Sequence, residues 1–176
     1  LSILFNNCSS IPKFSIDSVR NNFLGERLLL LDLDISLEEL DQETLDNLRQ
    51  RLQPLSYSNN SFGVLTGRSI KSARHRFSEL HLPQPKVWIT SAGTEVYYGL
   101  DNHKDPLWDS LISVNWQRTK VEDALADLHE HLVLQDIAQQ GLYKVSYLLK
   151  EPGEAILPLV RKRLRQRGQA AIPYLR

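Results

Sequence analysis

The sequence predicts an α/β fold, a Rossmann-like parallel sheet followed by an incomplete α+β portion, and three observations carry that prediction. Apolar runs at Leu28–Leu31, Phe62–Leu65 and Val87–Thr90 have strand length and each gives way to a polar segment. Between them lie two stretches with apolar side chains at helical spacing. The resulting β-α-β-α-β order places the strands parallel, with helices on the faces of the sheet. After about Leu100 this alternation stops.

The elements follow in order. Residues 1–27 are rich in Asn, Ser and Pro with weak periodicity, and read as a linker or the tail of a preceding domain. Leu28–Leu31 reads as a buried strand. Ser36 is placed to cap a helix carrying Leu37, Leu40, Leu45, Leu48 and Leu52, which Pro54 and the polar Ser56–Asn60 stretch terminate. The second strand, Phe62–Leu65, runs into Thr66-Gly67-Arg68. A helix starting near Ser69 buries Ile70, Ala73, Phe77 and Leu80 and stops before Pro83. Val87–Thr90 leads through Ser91-Ala92-Gly93-Thr94-Glu95 to a strand-like Val96-Tyr97-Tyr98. These elements define a core over 28–100.

Residues 101–176 read as a separate, unfinished subdomain. Trp108, Leu111, Ile112 and Trp116 suggest one helix, and Ala124, Leu125, Leu128 and Leu132 line a second over Val121–Leu132. Tyr143–Leu149 alternates as a strand does, Glu154–Gln166 reads as a helix closed by Gly168, and Ala170–Leu175 as a last strand.

Composition narrows the function classes. Lys+Arg and Asp+Glu balance at 21 each, so net charge argues for neither nucleic acid nor an acidic membrane surface. A single cysteine, Cys8, rules out an intrachain disulfide and fits a reducing cytoplasm. No apolar run approaches the roughly 20 residues of a membrane helix, and no signal peptide is visible. The absence of methionine and the start at Leu1 suggest a piece of a longer polypeptide.

The chemistry gathers at strand ends, where open α/β sheets bind their ligands. The first strand ends in Asp32-Leu33-Asp34. Two carboxylates two residues apart can share a divalent cation, divide a nucleophile role from an acid/base role, or simply lead the chain into a turn. The second strand ends in Thr66-Gly67-Arg68, where a hydroxyl, a glycine amide and a helix start suit a phosphate. Adjacent parallel strands bring the two motifs side by side.

Asp32-Leu33-Asp34-Ile35-Ser36 together with Leu65-Thr66-Gly67-Arg68 resembles the first two motifs of the haloacid dehalogenase (HAD) superfamily of phosphatases. Leu82–Gly99, with Ser91-Ala92-Gly93-Thr94-Glu95 at its centre, resembles its sucrose-phosphate phosphatase branch and the related carboxyl-terminal domain of sucrose-phosphate synthase. Trp108–Trp116 and Tyr143–Tyr147 continue the likeness, which runs from about Glu26 to the end.

The resemblance implies a HAD-like core with residues 101–176 as a partial cap, and magnesium-dependent hydrolysis of sucrose 6-phosphate or a related sugar phosphate. It makes Asp32 the nucleophile and Asp34 the acid/base. Mg²⁺ is held by Asp32 and by the main-chain carbonyl of Asp34. Thr66, Gly67 and Arg68 take the phosphate, and Glu95 and Lys144 are candidates for sugar contacts. Ser36 stands where the family commonly has Thr, and Ile35 where a polar residue is common. A later lysine and an acidic pair would lie beyond Arg176, so the 176-residue chain alone is expected to show little activity. The alternative is a regulatory or binding domain of a sucrose-phosphate synthase, with a glycosyltransferase upstream in the same chain.

Other features carry less. The basic Arg161–Arg167 segment reads as a solvated face. The five histidines show no shared metal spacing; His129 and His131 fall on different sides of the expected helix. Trp88, Trp108 and Trp116 read as packing residues.

Overall fold

The computed structural model describes residues 2–5, 27–34, 40–56, 60–99, 101, 103–151, 154–169 and 171–175. The chain divides into two compact units, Lys13–Trp108 and a second made of Leu1–Pro12 with Asp109–Arg176.

In the first unit, β2 (Arg27–Asp32), β3 (Asn60–Leu65) and β4 (Val87–Thr90) are parallel neighbours, as the β-α-β-α-β order requires. Two antiparallel strands, β5 (Glu95–Tyr98) and β6 (His103–Lys104), extend the sheet to the order β2-β3-β4-β5-β6. Helices α1 (Gln42–Leu52) and α2 (Ile70–Glu79) join these strands. Their apolar stripes supply Leu45, Leu52, Ala73 and Phe77, which pack with Phe62, Val64 and Trp88 of the sheet. Phe77 and Trp88 meet edge to face, ring centroids 5.0 Å apart. The core therefore centres on β3 and β4.

Two expectations change here. The leucine strand is not buried: among the described residues β2 is the outermost strand of its sheet, and Leu28, Leu29 and Leu30 are all exposed, Leu29 by 52%. An apolar run reports a tendency to pair, but the neighbours that would cover it are a tertiary matter. The first helix begins at Gln42, with Asp41 as its cap accepting from the Thr44 amide at 2.7 Å. Leu40 precedes that helix, and Ile35, Ser36 and Leu37 lie outside the described residues.

The second unit is an antiparallel sheet in the order β7-β8-β1-β9, with β1 Ser2–Phe5, β7 Leu132–Leu134, β8 Lys144–Leu149 and β9 Ala171–Tyr174. Ser2–Phe5, expected within a linker, thus pairs with both β8 and β9; Cys8 lies outside the described residues. Helix α3 (Pro106–Ser113) precedes α4 (Arg118–Leu125), and α5 (Leu157–Gln166) connects β8 to β9. Val121, Ala124 and Leu125 of α4, Val160 and Leu164 of α5, and Val145 and Tyr147 of β8 form its core.

The helix expected over Val121–Leu132 is shorter and differently placed. After Leu125 one 3₁₀ turn, Ala126–Leu128, follows, and Leu132 opens β7, so His129 and His131 are not on a helix. Trp116 lies past the end of α3, its indole donating to the Leu142 carbonyl at 2.9 Å. Helix α5 closes at Gly168, whose φ of 67° lets the Gly168 and Gln169 amides reach the Arg165 and Leu164 carbonyls. Among the described residues no helix is long and apolar enough to cross a membrane.

Candidate active site

The register of β2 on β3 sets Asp32 opposite Leu65. The Leu33 amide donates to the Leu65 carbonyl at 3.0 Å, carrying the pairing one residue beyond the strand ends. Asp34 and Thr66 therefore leave the sheet side by side, although 32 positions separate them. The Thr66 amide donates to the Ile89 carbonyl at 2.9 Å, which ties the loop to β4 as well.

Asp34 is the centre of this cluster, its side chain 16% exposed. Its Oδ1 accepts from the Thr66 hydroxyl at 2.6 Å, and its Oδ2 accepts from the Gly67 amide. The Arg68 guanidinium lies 3.9 Å from Oδ1. The Arg68 amide donates to Thr66 Oγ1 at 3.1 Å, so the buried hydroxyl accepts from its own loop while donating to the carboxylate. The Asp34 amide in turn donates to Asp32 Oδ1 at 2.9 Å, orienting the first carboxylate, which is exposed. Hydroxyl, amide and guanidinium thus converge on the Asp34 carboxylate.

The loop after β4 braces this arrangement. The Ser91 amide donates to the Arg68 carbonyl at 2.8 Å, and the Ala92 amide to the Thr66 carbonyl at 3.0 Å. Reaching both carbonyls requires a left-handed backbone: φ is 51° at Ser91, 59° at Ala92 and 86° at Gly93. Side chains disfavour that region by about 1–2 kcal/mol per residue, so the small Ser-Ala-Gly run suits the place. In sequence this segment carries only its family likeness; the backbone clamp has no signature there, because spacing does not reveal which amides turn inward.

Asp32, Asp34, Thr66, Gly67 and Arg68 come together as expected from adjacent strand ends. Glu95, at the start of β5, accepts at Oε2 from the hydroxyls of Ser91 at 2.9 Å and Thr90 at 3.4 Å. It is therefore joined to the cluster through Ser91. Lys144 belongs to the other unit, where it starts β8 and is 5% exposed.

Trp88 is packed in the core, and Trp108 donates its indole N–H to the Gly93 carbonyl at 3.1 Å. Among the described residues no three His, Cys, Asp or Glu side chains gather as a metal site. Near β5, burial and the Asp105 carboxylate raise the Tyr98 phenol from 10.0 to about 12, with its hydroxyl 3.1 Å from Asp105 Oδ2. Arg163 of the basic helix pairs with Asp127 at 2.5 Å.

Residues 25–175 match the family model described as sucrose-6F-phosphate phosphohydrolase. The chain belongs to this family. Sucrose-phosphatase 1 of Nicotiana tabacum is 32% identical over 145 residues, covering 80% of this chain and 34% of the relative. Probable sucrose-phosphatase 3b of Arabidopsis thaliana is 34% identical over 146 residues, with the same coverage, 80% and 34%. The chain thus spans about a third of the length of these curated relatives, 34% of each. The solved sucrose-phosphatase of Synechocystis, a complex with sucrose and phosphate, superposes with a TM-score of 0.71 at 29% identity. That match covers 83% of this chain and 58% of the Synechocystis chain. The sucrose-6F-phosphate phosphohydrolase family is therefore the right frame for the cluster at Asp32–Arg68, and the matched names favour the phosphatase reading over the synthase alternative.

Proposed function

We propose that the chain carries the phosphoryl-transfer groups of a phosphatase acting on sucrose 6-phosphate. The observation that carries this reading is the convergence of Asp32, Asp34, Thr66, Gly67 and Arg68 at two adjacent parallel strand ends, in a chain of the sucrose-6F-phosphate phosphohydrolase family. The solved Synechocystis relative holds sucrose and phosphate, which supports a sugar phosphate as the substrate class here.

The chemistry follows from the residues. A carboxylate oxygen of Asp32, exposed at its strand end, attacks the phosphorus and forms an aspartyl phosphate. The bond from phosphorus to the sugar oxygen breaks, and Asp34 supplies the proton that oxygen takes up. Asp34 then removes a proton from water as the water oxygen attacks the phosphorus. The aspartyl bond breaks, releasing phosphate and restoring the Asp32 carboxylate. The Thr66 hydroxyl, the Gly67 amide and Arg68 hold the equatorial oxygens, where charge spreads in the transition state. Glu95, joined to the cluster through Ser91, serves as a sugar contact.

The donor set fits magnesium. One carboxylate and one main-chain carbonyl, from Asp32 and Asp34, are hard oxygen ligands, and this ion keeps several waters while binding one or two carboxylates and substrate phosphate. When bound it neutralises charge on the transferring group.

Phosphate release from sucrose 6-phosphate with magnesium tests the reading. Wild type is expected to exceed Asp32→Asn even if its own rate is low. Equal release by the two proteins would remove Asp32 as nucleophile and the reading with it.

A further inference from the structure

The two neutral donors assigned above to the transferring phosphate are already engaged by a carboxylate. Thr66 donates to Asp34 Oδ1 at 2.6 Å and the Gly67 amide donates to Oδ2. We propose that Asp34 occupies the phosphate position in the free protein, and that the incoming phosphate releases the acid/base carboxylate by displacing it. This rests on the phosphatase reading of the site and adds an order of events to it.

Donor number and charge make the two occupants exclusive. A hydroxyl and an amide carry one proton each, and neither can serve a carboxylate and a phosphate with good geometry at the same time. Two anions sharing the pair would also repel at hydrogen-bond distance in a partly buried place. Occupancy by Asp34 and by phosphate is therefore mutually exclusive. Arg68, 3.9 Å from Asp34 Oδ1, favours whichever anion is present.

The exchange needs little motion. The Asp34 amide is bonded to Asp32 Oδ1 at 2.9 Å, so the backbone can stay in place while the Asp34 side chain turns about its own bonds. The same carboxylate cannot deliver a proton to a leaving oxygen while both of its oxygens are held by Thr66 and Gly67. Displacement thus couples phosphate arrival to release of the group that must act next. Before substrate arrives, Asp34 accepts the protons of the Thr66 hydroxyl and the Gly67 amide, so both donors of the cradle are engaged in the free protein.

A double-mutant cycle on inorganic phosphate binding, with magnesium present, tests the exchange. Calorimetry is run on wild type, Thr66→Val, Asp34→Ala and the double variant, with Thr66→Ser as a variant that keeps the hydroxyl. Asp34→Ala is expected to tighten phosphate binding by about tenfold or more, the scale of a charge-assisted hydrogen bond. In the Asp34→Ala background Thr66→Val is expected to weaken binding by about the same factor. In wild type the weakening is much smaller, because the hydroxyl also anchors the competitor. Thr66→Ser tracks wild type, and the Gly67 amide resonance shifts on phosphate addition in wild type and on Asp34→Ala alone.

Simple repulsion between Asp34 and phosphate would make the two effects additive, a result that overturns the exchange while leaving the phosphate site intact. Absence of phosphate binding by Asp34→Ala, or binding that leaves the Gly67 resonance unmoved, would instead remove Thr66 and Gly67 as phosphate donors and both proposals together.

Discussion

Thr66 and Asp34, 32 positions apart in sequence, share a hydrogen bond of 2.6 Å at the carboxyl ends of neighbouring strands. A buried hydroxyl bonded to a carboxylate is among the stronger neutral-to-charged contacts in water-soluble folds. Thr66→Val is expected to destabilise the first unit by about 1–3 kcal/mol, and Thr66→Ser by much less. Urea denaturation of both variants checks this. A Thr66→Val protein as stable as wild type would mean that the other contacts of Asp34, the Gly67 amide among them, hold it without the hydroxyl.

The two aspartates should separate in their effects. Asp32 is exposed and its side chain accepts from the Asp34 amide, so Asp32→Ala is expected to cost under about 1 kcal/mol while removing turnover. Asp34→Ala withdraws the acceptor for both Thr66 and Gly67 and is expected to cost about 1–3 kcal/mol as well as activity. Melting curves alongside phosphate-release assays measure the contrast, and an Asp32→Ala protein that fails to fold would contradict it.

Gly63 sits in β3 between Leu30 of β2 and Val87 of β4. A Cβ there would run into Val87 Cγ1 and lie 3.0 Å from Leu30 Cδ2 and from the Val87 carbonyl. Gly63→Ala is expected to destabilise by about 1–3 kcal/mol through overpacking, despite the higher strand propensity of alanine. A smaller partner side chain should relieve it, so Gly63→Ala with Val87→Ala should recover part of the loss in the same denaturation assay.

Tyr98 gives the alkaline limit a sign. Burial first, then the Asp105 charge, raises its folded pKa from 10.0 to about 12. The folded state holds the phenolic proton longer than the unfolded chain, so this contribution is complete below pH 10 and is lost as pH rises toward 12. Tyr147 in the other unit moves the same way, chiefly through burial. Tyr98→Phe is expected to flatten the fall in stability between those limits, leaving the part due to Tyr147. An unchanged slope in stability-versus-pH measurements would contradict it.

In the second unit, Gln140 closes the turn before β8. Its Oε1 accepts from Arg118 Nη2 at 3.1 Å and from the Ser146 amide at 2.9 Å. Its Nε2 donates to the Gln135 carbonyl at 2.8 Å and the Ser146 carbonyl at 3.0 Å. Gln140→Leu is expected to cost about 2–4 kcal/mol, since four bonds vanish from one network. Hydrogen exchange at the Ser146 amide should accelerate in the same variant; unaltered protection there would contradict Gln140 Oε1 as the acceptor that protects it.

Much of this arrangement was legible in the linear sequence. Apolar runs broken by polar strand ends, with helical spacing between them, determined the parallel triplet β2-β3-β4 and put Asp32, Asp34, Thr66 and Gly67 at one edge of it. Local pattern suffices for this, because strand period, helix period and right-handed crossovers are short-range properties. Tertiary structure decided the rest. Leu28–Leu30 proved exposed because burial depends on neighbours in space, and Ser2–Phe5 joined a sheet through strands more than 100 residues away. The clamp of Ser91 and Ala92 on the Thr66–Arg68 loop, and the engagement of Thr66 and Gly67 by Asp34, arise from backbone angles and long-range hydrogen bonds that no spacing of residue types encodes.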